Sequence, residues 1–214
     1  MPGYSKNGGS MKHKYAFMIT LAILTIFSTR VHAQESEQAD PSSTAASVFK
    51  VDENNNYKDN FALREARKIG VAFGVGGTLG LYGLNIEVNF EDENAGYAGF
   101  GGGDGFKSFN IGWKHSFEGD TIAPYASTGY SRWYDSSDSG NYNNSAILDR
   151  VLTKSQKESG RFATDFISGA LGLQYTHLTG YMAGTSLFAE VVLLGELNSG
   201  IFVPTGSAGG AYYF

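Results

Sequence analysis

Four ionisable residues, Glu87, Lys114, Arg132 and Glu190, fall on one side of four separate stretches in which side chains alternate in type. Two acids and two bases brought onto a common surface can neutralise one another as a charge network, or they can line a narrow path for ions. Buried charges must pair or give up their charge, so a neutralising network is the expectation and the ion path its alternative. Other chemistry is thinly provided for. The chain has no cysteine, which removes disulfides, thiolate metal sites, a cysteine nucleophile and a lipidated N-terminus. The histidines, His115 included, form no metal-ligand spacing with acids or with one another. Glycine-rich Gly99–Gly105 is followed by no Lys-Ser/Thr and opens no helix, so it lacks the parts of a phosphate cradle.

The elements that must carry the four charges are strands. Tyr82, Leu84, Ile86, Val88 and Phe90 alternate with Gly83, Asn85, Glu87 and Asn89, a period of two with chemically opposite faces. Ile69–Gly76 alternates likewise, with glycine and alanine on its second face, and a Gly77–Gly80 turn joins the two stretches. Ala95–Gly101 is the weakest strand, because Tyr97 and Phe100 fall on opposite faces among glycines. Phe109, Ile111, Trp113, His115 and Phe117 alternate with Ser108, Asn110, Gly112, Lys114 and Ser116. In Thr121–Trp133 the parity is assigned from charge. Placing Arg132 inward also turns Ala126, Thr128 and Tyr130 inward and leaves Tyr125 and Trp133 outside, roughly 20 Å apart along the normal of a tilted strand.

The longest irregular stretch is Tyr134–Arg161, in which Ile147, Leu148, Val151 and Leu152 suggest a short helix over Ser145–Lys157. Beyond it, Ile167, Gly169, Leu171, Leu173, Tyr175 and His177 alternate with Ser168, Ala170, Gly172, Gln174 and Thr176. Leu187–Leu194 is apolar on both faces apart from Glu190, and Gly206–Phe214 ends the chain with Tyr212 and Phe214 on one parity.

The N-terminus has the parts of an export signal: a basic start at Lys12-His13-Lys14, a short apolar run over Tyr15–Ser28, and a small-x-small site at Val31-His32-Ala33. Its removal takes four of the 16 basic residues and none of the 21 acidic ones, leaving a net charge of −9. That charge provides no footprint for nucleic acid. Residues 34–68 are expected to form a flexible periplasmic segment, polar with only Val48, Phe49, Val51 and Tyr57 to bury before a short helix at Asp59–Lys68 that sets Phe61, Leu63 and Ala66 near one face.

Residues 69–214 give about eight strands, and an even count returns both termini to one side. With the termini periplasmic, the short connections Glu91–Asn94, Glu118–Asp120 and Thr179–Gly184 lie on their side, and the longest loop lies on the other. The faces opposite the apolar ones carry Gly, Ala, Ser and Asn with a few charges, too small and polar for a soluble core. A closed barrel satisfies all backbone groups in hydrocarbon, and the apolar faces are therefore expected to meet lipid. The expected fold is all-β, an up-and-down antiparallel transmembrane β-barrel of about eight strands, with an aromatic girdle of Trp113, Tyr125, Trp133, Tyr175, Tyr212 and Phe214.

The signal peptide, the amphipathic strands and the terminal Tyr212-Tyr213-Phe214 resemble the small outer-membrane β-barrels of Gram-negative bacteria, the OmpA/OmpX transmembrane type. The resemblance covers about Ile69–Phe214. It implies an outer-membrane location after signal removal near Ala33, contact with outer-membrane lipid and lipopolysaccharide, recognition of the C-terminal strand by the barrel-assembly machinery, and a monomer without cofactor or metal. The superfamily includes structural anchors, adhesins, narrow pores and lipid-modifying enzymes. A non-enzymatic structural or surface-interaction role through the extracellular loops is the leading expectation, with a lumenal pore second. The order His177, Thr179, Glu190 also loosely resembles the His-x-Ser and downstream Glu of outer-membrane lipid A deacylases, with Thr179 for serine, Gly180 for the asparagine that follows, and Glu190 on the face opposite His177. A soluble ligand-binding barrel in the periplasm is the fold-level alternative.

Overall fold

Outward-pointing Ile69, Val71, Phe73 and Val75 begin a pattern that repeats around the molecule. The computed structural model describes residues 56–135 and 145–214. The leader, its cleavage site near Ala33, the tail to residue 55 and the middle of the long loop, 136–144, lie outside the described residues. Eight strands follow one another: β1 (Ile69–Gly76), β2 (Tyr82–Asn89), β3 (Asn94–Gly103), β4 (Phe106–Ser116), β5 (Ile122–Asp135), β6 (Ala163–Thr176), β7 (Thr185–Glu196) and β8 (Phe202–Tyr213). Each pairs antiparallel with the next, and β8 returns to pair with β1 through Gly70↔Tyr213 and Gly74↔Gly209. The fold is a closed, eight-stranded up-and-down barrel, as the alternation implied. Closure leaves no unpaired sheet edge.

The faces divide as the sequence divides them in seven of the eight strands. On β2, Leu84 and Ile86 are more than half exposed on the outside while Glu87 and Asn89 are buried within. Weak β3 is a full ten-residue strand: Tyr97 turns inward and Phe100 outward, and its glycines make room for neighbours in the lumen. The exception is β5. There Ala123, Tyr125, Ser131 and Trp133 are buried inside, and Ile122, Pro124 and Arg132 lie outside, so the parity assigned from charge is reversed.

The two ends are closed differently. At the end carrying the chain termini, helix α1 (Asn60–Ala66) is N-capped by Asp59, whose carboxylate accepts from the Ala62 N–H at 2.8 Å. Asn60, Leu63 and Arg64, spaced i, i+3, i+4, form its buried face. Residues 56–68 are therefore packed against the barrel rather than trailing from it. Asn60 bonds the β4–β5 turn, Arg64 the β2–β3 turn and Tyr57 the β6–β7 turn. Arg67 completes the fastening, donating to the carbonyls of Ala183 and Tyr213 at 2.7 Å each.

At the other end the connection between β1 and β2 folds into the lumen instead of away from it. Gly76 and Gly77 both adopt positive φ, a conformation that glycine takes without strain, and they steer a single 3-10 turn (Gly77–Leu79) across the opening. The Thr78 carbonyl there accepts from Ser131 Oγ at 2.6 Å and Trp133 Nε1 at 2.8 Å. The long β5–β6 connection contributes two helices, not one: α2 (Ala146–Val151) and α3 (Lys154–Ser159), separated where Thr153 starts a new capping box with Gln156.

Candidate functional site

The lumen near the terminus end holds a connected polar set built from seven elements, α1 and six of the strands. Lys114 of β4 places Nζ 3.0 Å from Glu87 Oε2 of β2, and Arg64 of α1 reaches in to place Nη1 3.0 Å from Glu87 Oε1. Tyr213 of β8 donates its hydroxyl to Glu87 Oε1 at 3.0 Å and accepts from Gln174 Nε2 of β6 at 3.1 Å. Lys114 Nζ also donates to Gln174 Oε1 at 2.7 Å and stands 4.5 Å from the centre of the Tyr125 ring. Tyr125 in turn donates to Glu190 Oε2 at 2.9 Å. Two cations and two carboxylates are thus engaged inside the wall, each with partners that offset the cost of leaving water.

The second cation of this set is Arg64, not Arg132. Arg132 lies on the outer parity of β5 with its side chain 44% exposed, beside Asp165 of β6 at 3.6 Å. It stands at the end of its strand, where an outward charge still finds a partner in the next strand. Tyr125 and Trp133, expected in the outer girdle, are lumenal: they are 4% and 0% exposed. Trp113, Tyr175, Tyr212 and Phe214 do face outward, near the terminus end, with Trp113 packed 4.8 Å from Phe90 and Tyr212 5.2 Å from Phe214.

Among the described residues, side chains fill both ends of the lumen. Between α1 and the strands there is a closed pocket of about 10 Å³ lined by Asn60, Leu63, Arg64, Gln174 and Tyr213 among others. That is space for a single water. At the opposite end the interior is apolar. Trp133 stacks on Phe106 at 4.9 Å and packs against Phe166 at 5.3 Å, and Leu148, Val151 and Leu152 of the long connection close over them. Val192 and Leu194 of β7 are fully buried in the same cluster. The loop end of the interior therefore holds an apolar core, contrary to the expectation of a polar lumen throughout; the two apolar faces of β7 were its signal.

His177, Thr179 and Glu190 do not converge. His177 lies past the end of β6, 3.4 Å from the Tyr175 hydroxyl on the outer rim, whereas Glu190 is held by Tyr125 inside. Among the described residues no group of three acidic, histidine or cysteine side chains is arranged to hold a metal ion.

Sequence reasoning missed Arg64, Gln174 and Tyr213. For Arg64 a signal was present: with Arg132 outside, Glu87, Lys114 and Glu190 leave one negative charge unmatched, and Arg64 shares a helix face with Leu63.

No protein-family model matches the sequence, and no curated protein matches it. Among solved structures the chain is similar to the N-terminal β-barrel domain of Pseudomonas aeruginosa OprF, at 16% identity over 68% of this chain and 98% of that one, with a TM-score of 0.44. It is also similar to the Yersinia pestis outer membrane protein Ail in a phospholipid bilayer nanodisc, at 12% identity over 69% and 99% of the two chains, TM-score 0.38. A crystal structure of Ail in complex with the heparin analogue sucrose octasulfate aligns at 15% identity over 69% and 96%, TM-score 0.36. The fold itself rests on the strand pairing described above.

Proposed function

We propose that this chain is a non-enzymatic, lipid-embedded barrel of a Gram-negative outer membrane, inserted as a monomer after removal of its leader near Ala33. Its role is structural or surface-interacting, and the long β5–β6 connection is the surface it presents. One observation carries the reading. The outward side chains of the strands are apolar around the whole circumference, Phe73, Leu84, Ile111, Leu171, Val191 and Tyr212 among them, while ionisable groups are paired inside. Water would expose that belt at a large cost, and acyl chains would not. A soluble periplasmic barrel would need the reverse arrangement. The C-terminal strand, ending in Tyr212-Tyr213-Phe214, is then the segment offered to the barrel-assembly machinery.

A pore is the second reading, and the filled lumen speaks against it. The test combines three measurements on the purified protein. Electrophoresis without boiling is expected to give a compact, anomalously migrating band that shifts on heating, and cell fractionation is expected to place the protein with outer-membrane markers. Planar bilayers are expected to show no steady conductance; discrete single-channel steps would restore the pore. A protein soluble without detergent would overturn the membrane reading.

A further inference from the structure

Arg64 has more donors than the barrel takes up. Its Nε donates to the Asp92 carbonyl at 2.8 Å and its Nη1 to Glu87. Nη2, buried with the rest of a side chain that is 4% exposed, has no partner among the described residues. Two of the five N–H donors of the guanidinium are therefore unspent. An unmet buried donor is costly, and more so when it carries charge.

Nη2 belongs to the enclosed pocket of about 10 Å³ between α1 and the strands, and the other groups around that pocket decide what it can hold. Gln174 gives its amide oxygen to Lys114 and its Nε2 to Thr176 and Tyr213. Tyr213 gives its hydroxyl to Glu87, Thr176 bonds Ser186, and the Asn60 amide is spent on Phe117 and Gly119 of the β4–β5 turn. Leu63 and Ala123 offer only hydrocarbon, while Ser116 adds a buried hydroxyl. Donors are thus to hand, and the acceptors lining the pocket are already engaged. A water there needs acceptors for its own hydrogens; a monatomic anion needs donors alone.

Charge favours the anion as well. Lys114 and Arg64 each stand 3.0 Å from one carboxylate, Glu87, and among the described residues no other carboxylate lies within 4 Å of either. Glu190 is reached only at one remove, through Tyr125. This corner of the lumen therefore carries one positive charge in excess.

We propose that the pocket seats a single chloride ion, held by Arg64 Nη2 and the Ser116 hydroxyl. The space is that of one water or one monatomic ion, which leaves no room for sulfate or phosphate. Helix α1 supplies Asn60, Leu63 and Arg64 to the pocket, and the strands supply the rest. The ion is accordingly bound only while the helix is docked, so chloride stabilises the closed terminus end by mass action.

The full chain, refolded in a nonionic detergent, is unfolded in urea at constant ionic strength while chloride is exchanged for gluconate. A site present only in the folded state raises the folded-to-unfolded ratio about tenfold for each tenfold rise in chloride above the dissociation constant. Bromide is expected to act like chloride, and sulfate to have no such effect. Arg64→Lys keeps a cation for Glu87 but removes Nη2, and Ala123→Leu keeps Arg64 but takes up the space. Each is expected to flatten the chloride response to within about twofold over the same range, with heat-shifted migration verifying that the variant is folded. In crystals grown with bromide, anomalous scattering is expected beside Nη2. A ratio indifferent to chloride in the unaltered protein overturns the site, as does a chloride response that survives undiminished in the folded variants. A bromide peak without any effect on unfolding is an adventitious ion only, and overturns it too. None of these outcomes bears on the membrane reading, which rests on the outer wall.

Discussion

Arg64 Nη1 and Glu87 Oε1 stand 3.0 Å apart, joining a helix that precedes the barrel to the inner face of its second strand. Arg64→Ala leaves Glu87 with Lys114 alone, at an expected cost of about 3 kcal/mol, toward the low end for a broken buried pair. Arg132→Ala, outside and loosely paired, is expected to cost less than about 1 kcal/mol. Urea unfolding of the detergent-folded protein ranks the two; the opposite order would reassign the inner cation.

Tyr213 bridges Glu87 and Gln174 through its hydroxyl. Tyr213→Phe keeps the ring and removes one bond from each partner, while Glu87 keeps Arg64 and Lys114 and Gln174 keeps Thr176, so a loss of about 0.5–1.5 kcal/mol is expected. Unfolding midpoints equal to those of the unaltered protein would mean the ring alone matters there.

Leu148 is the fully buried anchor of the long connection. Leu148→Ala is expected to weaken closure over Phe106 and Trp133 by about 2 kcal/mol or more. The open population, and with it trypsin cleavage near Arg150 or Lys154, should rise roughly thirtyfold while the barrel stays folded. An unchanged cleavage rate would show that the helices rest on the rim without being held by it.

Two glycines make a matched pair. A Cβ on Gly112 would lie 2.4 Å from both the Thr128 carbonyl oxygen and the Tyr97 hydroxyl, whereas one on Gly169 would meet nothing. Gly112→Ala is expected to destabilise the barrel by about 1–3 kcal/mol or more through overpacking, and Gly169→Ala to stay within about 0.5 kcal/mol. The fraction of heat-shifted protein after refolding measures both.

Strand positions were legible because an apolar outer face and a crowded interior impose opposite demands on neighbouring residues, and β2 shows that contrast at every position. On β5 the contrast fails: Ala123, Tyr125 and Ser127 differ little in kind from Ala126, Thr128 and Tyr130. Charge was left to decide, and it misled, because an arginine near a strand end can lie on the outer wall beside an acid of the next strand as readily as in the interior. Tyr97 was illegible for a related reason. Its ring fills space vacated by Gly112 and Gly129 of other strands, a complementarity that no single stretch contains. The apolar core at the loop end depended likewise on which strand ends meet, with only the double-sided apolar pattern of Val192 and Leu194 to announce it.

Arg67 grips two carbonyls, one from the β6–β7 turn and one from the last strand, and stands over the rings of Tyr57 and Tyr212. The β7–β8 hairpin sets the two carbonyls side by side, and the pairing of β1 with β8 brings Arg67 to both. The segment that precedes every strand therefore clasps the seam at which the ring closes, a latch across the joint between the first strand and the last.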